Sequence, residues 1–385
     1  MKLSSTTKTA WKAYCSKLTV ALCVGLFLLG GKPNQVNAQA DSLIMSGYID
    51  AYYQYNFNEP LSGTNAGRIF DLNHDNISLG LAQAYFEYVR GKSSAVLDLT
   101  FGPNANLGNF GNFGTGLAIK QAYFTYAFSD KVSITAGQYG THIGYELIDA
   151  PANVNYSLSY LFGNGPFYHT GLKADIAVND QLAFMLGVVN GWDSFTDFNQ
   201  KKSVTAQVAF NEPNTGLNLY VNYIGGDEFN GQSAFGETEG SFTHLLDLTG
   251  TLSVADNFLI GLNAAYGMFK SGMEEAVLGD PYSDDANWGG AALYLNYDVS
   301  DFFGLGLRGE YFDDPSGVRY FGALSATAIT LTGDIKLDDG HFMIKPELRF
   351  DKSNDPFFED ADGNLTDTQF TGGIALVYQF GKVIK

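Results

Sequence analysis

From residue 47 onwards, the sequence repeatedly alternates apolar and polar residues with a period of two. In the first run, Ile49 and Tyr53 alternate with Asp50 and Gln54. The same alternation recurs at residues 95–101, 172–178 and 342–350. Because successive side chains of a β-strand point to opposite faces, each run predicts a strand with one apolar and one polar face. No stretch after Asp41 is apolar over the about 20 residues that a membrane-spanning helix needs.

Sixteen such runs can be placed, and the links between them alternate between short and long. Short links such as 91–93 and 179–181 follow even-numbered runs, whereas long links rich in Gly, Asn and Asp follow odd-numbered runs. Outer-membrane barrels have this pattern, because their periplasmic turns are short and their extracellular loops are long. The runs start near residues 47, 77, 94, 117, 132, 169, 182, 203, 217, 242, 258, 288, 304, 324, 341 and 368.

The predicted fold class is therefore all-β: a transmembrane, antiparallel, up-and-down β-barrel of about 16 strands, with about 14 to 18 left open. A closed sheet leaves no unpaired strand edge in lipid. A soluble sandwich also alternates, but the alternating link lengths favour the barrel. About sixteen strands leave room for an aqueous lumen. The second run, 77–89, changes face partway, which indicates a β-bulge.

The first 40 residues resemble a secretory signal peptide. They contain five lysines and no acidic residue, and residues 18–31 form an apolar run. Small residues at Ala38 and Ala40 predict cleavage before Asp41. A retained membrane anchor is the alternative, but the run falls short of the about 20 residues that a spanning helix needs. We therefore expect one barrel domain, 41–385, exported to a bacterial outer membrane.

Removal of that segment changes the charge and the cysteine content. Cys15 and Cys23 both lie within it, so the exported part has no thiol, disulfide or cysteine-based metal site. The net charge falls from −19 to −24, because five lysines are lost. Such a polyanion is a poor partner for nucleic acid. The expected surroundings are instead outer-membrane lipid and lipopolysaccharide, and the acidic excess predicts a mild preference for cations.

Four segments resemble a known family, the OmpL-like putative β-barrel porins of Bacteroidota-type outer membranes. They are residues 47–53, 135–146, 165–171 and 188–193. The resemblance implies an outer-membrane porin whose substrates are mostly unassigned. The last run, 370–380, is similar to the signal that the barrel-assembly machinery recognises, but the chain continues to Lys385 beyond its final aromatic residue.

The third long link, 140–168, is the longest of the eight. General porins fold their third loop into the lumen, so position and length both make this link a candidate pore constriction. His142, Glu146 and Asp149 are its candidate constriction residues. An ordinary surface loop is the alternative.

If this link folds inward, its carboxylates should face basic residues on the barrel wall. Arg308, Lys345 and Arg349 are the expected basic residues, interleaved with Glu310 and Glu347. Neutral pairs between neighbouring strands are the alternative for these charges. The same alternation predicts further charges that face the lumen, namely Asp50, Asp98, Lys173 and Asp175.

Motifs for chemistry are weak in this sequence. Residues 304–309 match a dinucleotide-binding glycine pattern, but they lie inside an alternating run with no helix after it. Asp360, Asp362 and Asn364 resemble the start of a calcium loop, yet Leu365 and Thr371 stand where Gly and Glu are needed. Loose divalent binding is the most that this loop predicts. We predict no catalytic residue, no metal site and no cofactor.

The leading hypothesis is a porin for passive diffusion of small hydrophilic solutes through a water-filled barrel. One alternative is an adhesin or receptor that uses the long acidic loops. A less favoured alternative is an outer-membrane hydrolase, because no local nucleophile motif accompanies the five histidines. The identity of the solute, gating, and monomer against homotrimer stay open, because lipid-facing and subunit-facing apolar surfaces look alike in sequence.

Overall fold

The computed structural model describes residues 41–112, 114–228, 232–233, 236–237, 241–271, 284–320 and 322–384. The expected signal segment, 1–40, lies outside the described residues. Sixteen strands of the described chain close into one antiparallel barrel in sequence order. None of the described helices is long and apolar enough to cross a membrane.

The barrel strands are numbered here in chain order. They are β1 Ser42–Asn56, β2 Asn76–Arg90, β3 Ser93–Phe101, β4 Ile119–Ser129, β5 Val132–Gly140, β6 Tyr168–Ala177, β7 Leu182–Val189, β8 Ser203–Glu212, β9 Leu217–Gly226, β10 Phe242–Ala255, β11 Phe258–Lys270, β12 Ala286–Ser300, β13 Phe303–Asp314, β14 Leu324–Leu337, β15 Phe342–Ser353 and β16 Thr368–Ile384. Short helical turns at Pro103–Gly108, Gly114–Ala118, Ala150–Ala152, Tyr160–Gly163 and Asp338–Gly340 and two small hairpins lie between strands.

The links between strands follow the predicted alternation. Only two residues separate Arg90 of β2 from Ser93 of β3, whereas the link from Gly140 of β5 to Tyr168 of β6 spans the barrel. The fold class and the strand number are thus confirmed.

The first strand starts earlier than the alternation indicated, at Ser42 instead of residue 47. Its first residues pair with the end of β16, where Met45 lies opposite Lys382 and Leu43 lies opposite Ile384. The extension beyond the last aromatic residue, Phe380, therefore has a structural use. It lengthens the seam that closes the barrel.

Inward and outward faces alternate as predicted. On β15, Leu348 and Phe350 are exposed on the outer face, while Lys345, Glu347 and Arg349 are buried on the inner face. The outer face is apolar, as a strand that faces lipid requires. The polar inner face lines the lumen.

The predicted change of face in β2 is a β-bulge. Ile49 pairs with Ala82 but Ala51 pairs with Leu79, so β2 carries one extra residue. The freed N–H of Leu81 donates to Asp50 Oδ1 at 2.8 Å. Because a Cβ at Gly80 would overlap the Asp50 carboxylate, only glycine fits beside it.

Candidate functional site in the barrel lumen

Residues 141–167, called L3 below, cross the interior of the barrel. The Gly144 N–H donates to Asp247 Oδ1 of β10 at 3.1 Å, and the Tyr156 N–H donates to Glu347 Oε2 of β15 at 2.7 Å. Lys120 Nζ of β4 donates to Asp149 Oδ1 at 2.6 Å. These three strands are well separated around the barrel. L3 therefore lies across the lumen and not over the rim.

One of the candidate constriction residues, Glu146, forms a buried ion pair with the wall. Its Oε1 lies 2.6 Å from Nη1 of Arg308 on β13. Its Oε2 accepts from the backbone N–H of Ser159 at 2.8 Å, so the carboxylate also joins two parts of L3. Arg308 donates in addition to the carbonyl oxygen of Ser157 at 2.6 Å. Through these charge-assisted hydrogen bonds, the pair fixes the middle of L3 against β13.

The ion pair continues into a set of four alternating charges, Arg308, Glu310, Arg349 and Asp351, called the charge ladder below. Glu310 Oε1 lies 3.3 Å from both Arg308 Nε and Arg349 Nη2. Arg349 Nε lies 2.9 Å from Asp351 Oδ1. The ladder also binds L3, because Glu310 accepts from the Tyr160 N–H at 2.7 Å. Wall charges thus pair with each other and hold the loop at the same time.

The first long link adds a cation that sequence reasoning missed. Arg68 Nη2 lies 2.7 Å from Asp351 Oδ2, and Nη1 lies 2.6 Å from Asp71. Arg68 and Asp351 are 283 positions apart. Period-two alternation gives no information about such a contact, because it describes strands and not the paths of loops.

Two other expected wall residues bind the L3 backbone. Glu347 accepts from the N–H groups of Tyr156 at 2.7 Å and Ser157 at 3.0 Å. Lys345 Nζ donates to the carbonyl oxygen of Asn153 at 2.8 Å and lies 3.2 Å from Asp334. The wall therefore recognises the loop mostly through peptide groups. Glu146 of L3 is the carboxylate that pairs with one of the expected basic residues, Arg308.

Another constriction candidate, Asp149, contacts a different part of the wall. It lies beside Lys120, which is also 3.5 Å from Asp98. Strict alternation would turn Lys120 outward, because its neighbour Gln121 faces inward. A register shift between Asp98 and Leu99 places an extra residue on β4, so both Lys120 and Gln121 are buried. This bulge is the reason that Lys120 could not be found by periodicity.

The remaining predicted residues lie on the inner wall with different partners. Asp50 Oδ2 accepts from the Tyr156 hydroxyl at 2.6 Å, so it also contacts L3. Lys173 and Asp175 form a partly exposed pair 3.4 Å apart on β6. His142 is in contact with the wall as well, since its Nε2 lies 3.1 Å from the Tyr223 carbonyl oxygen.

The loop that resembled a calcium site forms the tip of a small hairpin. The Asp360 carboxylate accepts from the N–H groups of Asn364 at 2.8 Å and Asp362 at 3.0 Å. These backbone donors hold the pKa of Asp360 below its usual range. In the described part of the chain, no three His, Cys, Asp or Glu residues are grouped as a metal site would require.

Glycines on the wall make room for L3 side chains. A Cβ at Gly306 would overlap Val154, and a Cβ at Gly261 would overlap the Tyr145 ring. Gly306 belongs to the glycine pattern at 304–309, which lies within β13. Gly306 therefore serves close packing of the loop, and the pattern stands in a strand and not before a helix as a nucleotide site needs.

Cavities beside L3 have linings that combine apolar surface with a smaller share of polar surface. A cavity of about 270 Å³ lies between L3 and the wall from β8 to β12. A second, of about 20 Å³, lies further towards the long-loop end and also contacts Gly144. Space of that size holds about one water molecule. Large side chains that include Leu161, Phe162 and Trp288 line it.

Comparisons with known proteins agree with the barrel fold. A family model described as "Putative beta-barrel porin-2, OmpL-like" matches residues 42–380. None of the curated proteins compared with the sequence matches it.

Solved structures resemble the barrel at low sequence identity. The trimer form of OmpT from Vibrio cholerae has a TM-score of 0.59 at 12% identity, covering 89% of this chain and 100% of its own. The anion-selective porin from Comamonas acidovorans has a TM-score of 0.58 at 12% identity, with the same coverage. The outer-membrane channel DcaP of Acinetobacter baumannii has a TM-score of 0.57 at 11% identity, covering 89% and 98%. These likenesses concern the fold.

Proposed function

The chain belongs to the putative beta-barrel porin-2, OmpL-like family, and on that premise we propose that it passes small hydrophilic solutes by passive diffusion through a lumen narrowed by L3. The observation that carries the proposal is the buried pair Glu146–Arg308, which holds L3 across the barrel interior. A loop that lies there sets the cross-section available to a solute. Porin membership also places the protein in the outer membrane.

The route runs along one side of L3. On the other side, the charge ladder, Lys345 and Glu347 hold the loop against β13 and β15. On the open side, the cavity of about 270 Å³ separates L3 from the wall. A second, water-sized space lies beside Gly144.

A swelling assay tests the proposal. Liposomes that contain the purified chain 41–385 and a trapped, impermeant polysaccharide are diluted into isosmotic solutions of sugars of increasing size. We expect swelling that slows as the sugar becomes larger, because L3 limits the cross-section. Swelling no faster than in protein-free liposomes would contradict the proposal.

Export and assembly follow from the same proposal. We propose that residues 1–40 are a signal peptide cleaved before Asp41, and that the barrel-assembly machinery inserts the chain through its last strand, β16. Mass spectrometry of the protein purified from outer membranes tests the cleavage site. A protein that still carries residue 1 would contradict it.

For the assembled state, we propose a homotrimer without catalytic activity. The support is the fold shared with the trimer form of OmpT from Vibrio cholerae, together with an outer face rich in exposed apolar side chains. Light scattering in detergent should give the mass of three chains. The mass of one chain would contradict the trimer, and turnover of ester or peptide substrates would contradict the absence of catalysis.

A further inference from the structure

The larger cavity beside L3 has a surface suited to a particular kind of solute. It is enclosed by L3 residues from His142 to Asn155 and by inward-facing residues of β8 to β12. Its volume of about 270 Å³ corresponds to about nine water molecules. A single small organic molecule fits in this space.

The cavity surface is almost free of charge. In the described part of the chain, no lysine or arginine lines it, and Glu146 is its one carboxylate. Both oxygens of Glu146 are engaged, one by Arg308 and the other by Ser159. The polar groups that remain are the imidazole of His142 and amides and hydroxyls, which include those of Asn155, Gln207 and Thr249. A charged solute would have no partner of opposite charge here, so its burial would be unfavourable.

Two polar atoms of the lining lack a hydrogen-bond partner among the described residues. They are Asn296 Oδ1 and Tyr294 Oη, and both atoms are buried. Buried polar atoms in proteins are almost always paired, with the protein, with water or with a ligand. Both residues line the cavity on the same inward face of β12, so a small rotation of each side chain would bring its polar atom to a bound solute.

Aromatic rings complete the lining. Tyr145 of L3 stacks on Tyr294 with ring centroids 4.3 Å apart. Gly261 allows this position, because any side chain there would overlap the Tyr145 ring. Rings combined with a few fixed polar groups are the usual composition of small-molecule sites. A sugar matches both features of this lining, because its C–H faces pack on aromatic rings and its hydroxyls donate and accept hydrogen bonds.

We propose that this cavity is a binding site for a neutral polyhydroxylated solute of monosaccharide size. The inference rests on the proposed pore, for which it names the solute class. It also differs from the mild cation preference that the net charge predicted. Local groups along the path decide selectivity, and those of the cavity are neutral.

Titration calorimetry of the detergent-solubilised protein tests the site without requiring conduction. The probes are glucose and its charged analogues glucuronate and glucosamine. We expect saturable binding of glucose and binding at least about tenfold weaker for both analogues. Equal or non-saturable binding of the three would overturn the proposal.

Variants assign the binding to the cavity. Tyr294→Phe removes one hydroxyl and should weaken glucose binding about fivefold, the effect of one hydrogen bond. Asn296→Asp keeps the shape but adds a charge, so it should reverse the order and favour glucosamine over glucose. Asn287→Asp makes the same change on the outer face of β12 and should leave the order unchanged. If both Asp variants reverse the order of glucose and glucosamine binding, or if neither does, the assignment of binding to the cavity is wrong.

Folding and conduction are measured on the same samples. Heat-dependent migration on gels reports the folded barrel, and only folded variants enter the comparison. Channels without saturable glucose binding would refute this inference and leave the pore intact. Saturable binding without conduction or swelling would refute the pore and leave the binding site.

Discussion

Arg308 on the barrel wall lies 2.6 Å from Glu146 in the middle of L3, and neither side chain is more than 3% exposed. The two residues are 162 positions apart in sequence. Loss of one partner leaves the other as an uncompensated buried charge, which typically costs about 3–5 kcal/mol. The contact therefore determines whether L3 stays across the lumen.

Arg308→Gln should release the middle of L3. We expect a higher single-channel conductance and a lower melting temperature, because Glu146 stays buried without its cation. Lys173→Gln is the matched control, since Lys173 pairs with Asp175 on β6 and this pair is partly exposed. An equal rise in conductance in both variants would show that lumen charge, and not anchoring of L3, causes the change. The double variant Arg308→Gln, Glu146→Gln should recover part of the lost stability.

Gly306→Ala should push L3 away from β13, because the new methyl group would overlap Val154. Overpacking of this kind typically costs about 1–3 kcal/mol. Gly309→Ala lies on the same strand with open space around the added Cβ, so it should be close to neutral in thermal unfolding. Val154→Ala should rescue Gly306→Ala but not improve Gly309→Ala. If the effects of Gly306→Ala and Val154→Ala on thermal stability were additive, this would contradict a direct contact between the two residues.

Lys120→Gln should loosen the other end of L3, because Asp149 and Asp98 then lose their shared cation. Protease digestion of the folded protein should become several-fold faster within 145–155, while the barrel strands stay resistant. Lys352→Gln breaks an exposed ion pair with Asp367 and should not change digestion. Unchanged digestion of Lys120→Gln would mean that Asp149 does not depend on this cation.

The contacts at the long-loop end of the barrel should depend on pH. Burial raises the pKa of Asp193 to about 7 and that of Glu228 to about 7. Asp193 accepts from the N–H groups of Phe167 at 2.6 Å and Tyr168 at 3.0 Å, so it secures the end of L3. Arg319 opposes the shift of Asp193, whereas nearby Asp227 adds to that of Glu228.

Asp193 and Glu228 bind protons more tightly in the folded loops than in opened loops, where carboxyl groups have pKa values of about 4. The loop arrangement therefore loses stability as the pH rises from about 4 to about 7 and changes little above that range. Hydrogen exchange at residues 167–168 and 192–193, corrected for the intrinsic rate, should show stronger protection at pH 5 than at pH 8. Asp193→Asn together with Glu228→Gln should remove most of the difference. A difference that persists in this variant would point to other groups.

Alternation along single strands, together with the alternating short and long links, was sufficient to predict the barrel, its strand order and its polar inner face. Those properties are local, because each side chain's face follows from its neighbours two positions away. The bulge in β2 was visible as a change of face within the run 77–89, but the one at Lys120 was not. Lys120 stands where strict alternation points outward, and its position depends on pairing with β3.

The candidate site was only partly predictable for a different reason. Glu146 and Arg308 could each be named from sequence, and the hypothesis that an inward loop would meet basic residues agrees with their contact. Arg68 could not be named, because the path of the first long link determines its approach to Asp351. The hydrogen bonds from the L3 backbone to Glu310 and Glu347 could not be predicted either, because their donors are backbone N–H groups, which leave no pattern in the side chains. The role of Glu146 and Arg308 in a constriction of the pore stays a prediction.

Single-channel recording tests the central claim most directly. Residues 142–165 are replaced by a short Gly-Ser turn, which the pairing of Gly140 with Tyr168 allows. The unmodified chain 41–385 should give small stepwise conductances in a planar bilayer, and the shortened chain should give steps several-fold larger. No steps from the unmodified chain, or equal steps from both, would contradict a pore narrowed by L3.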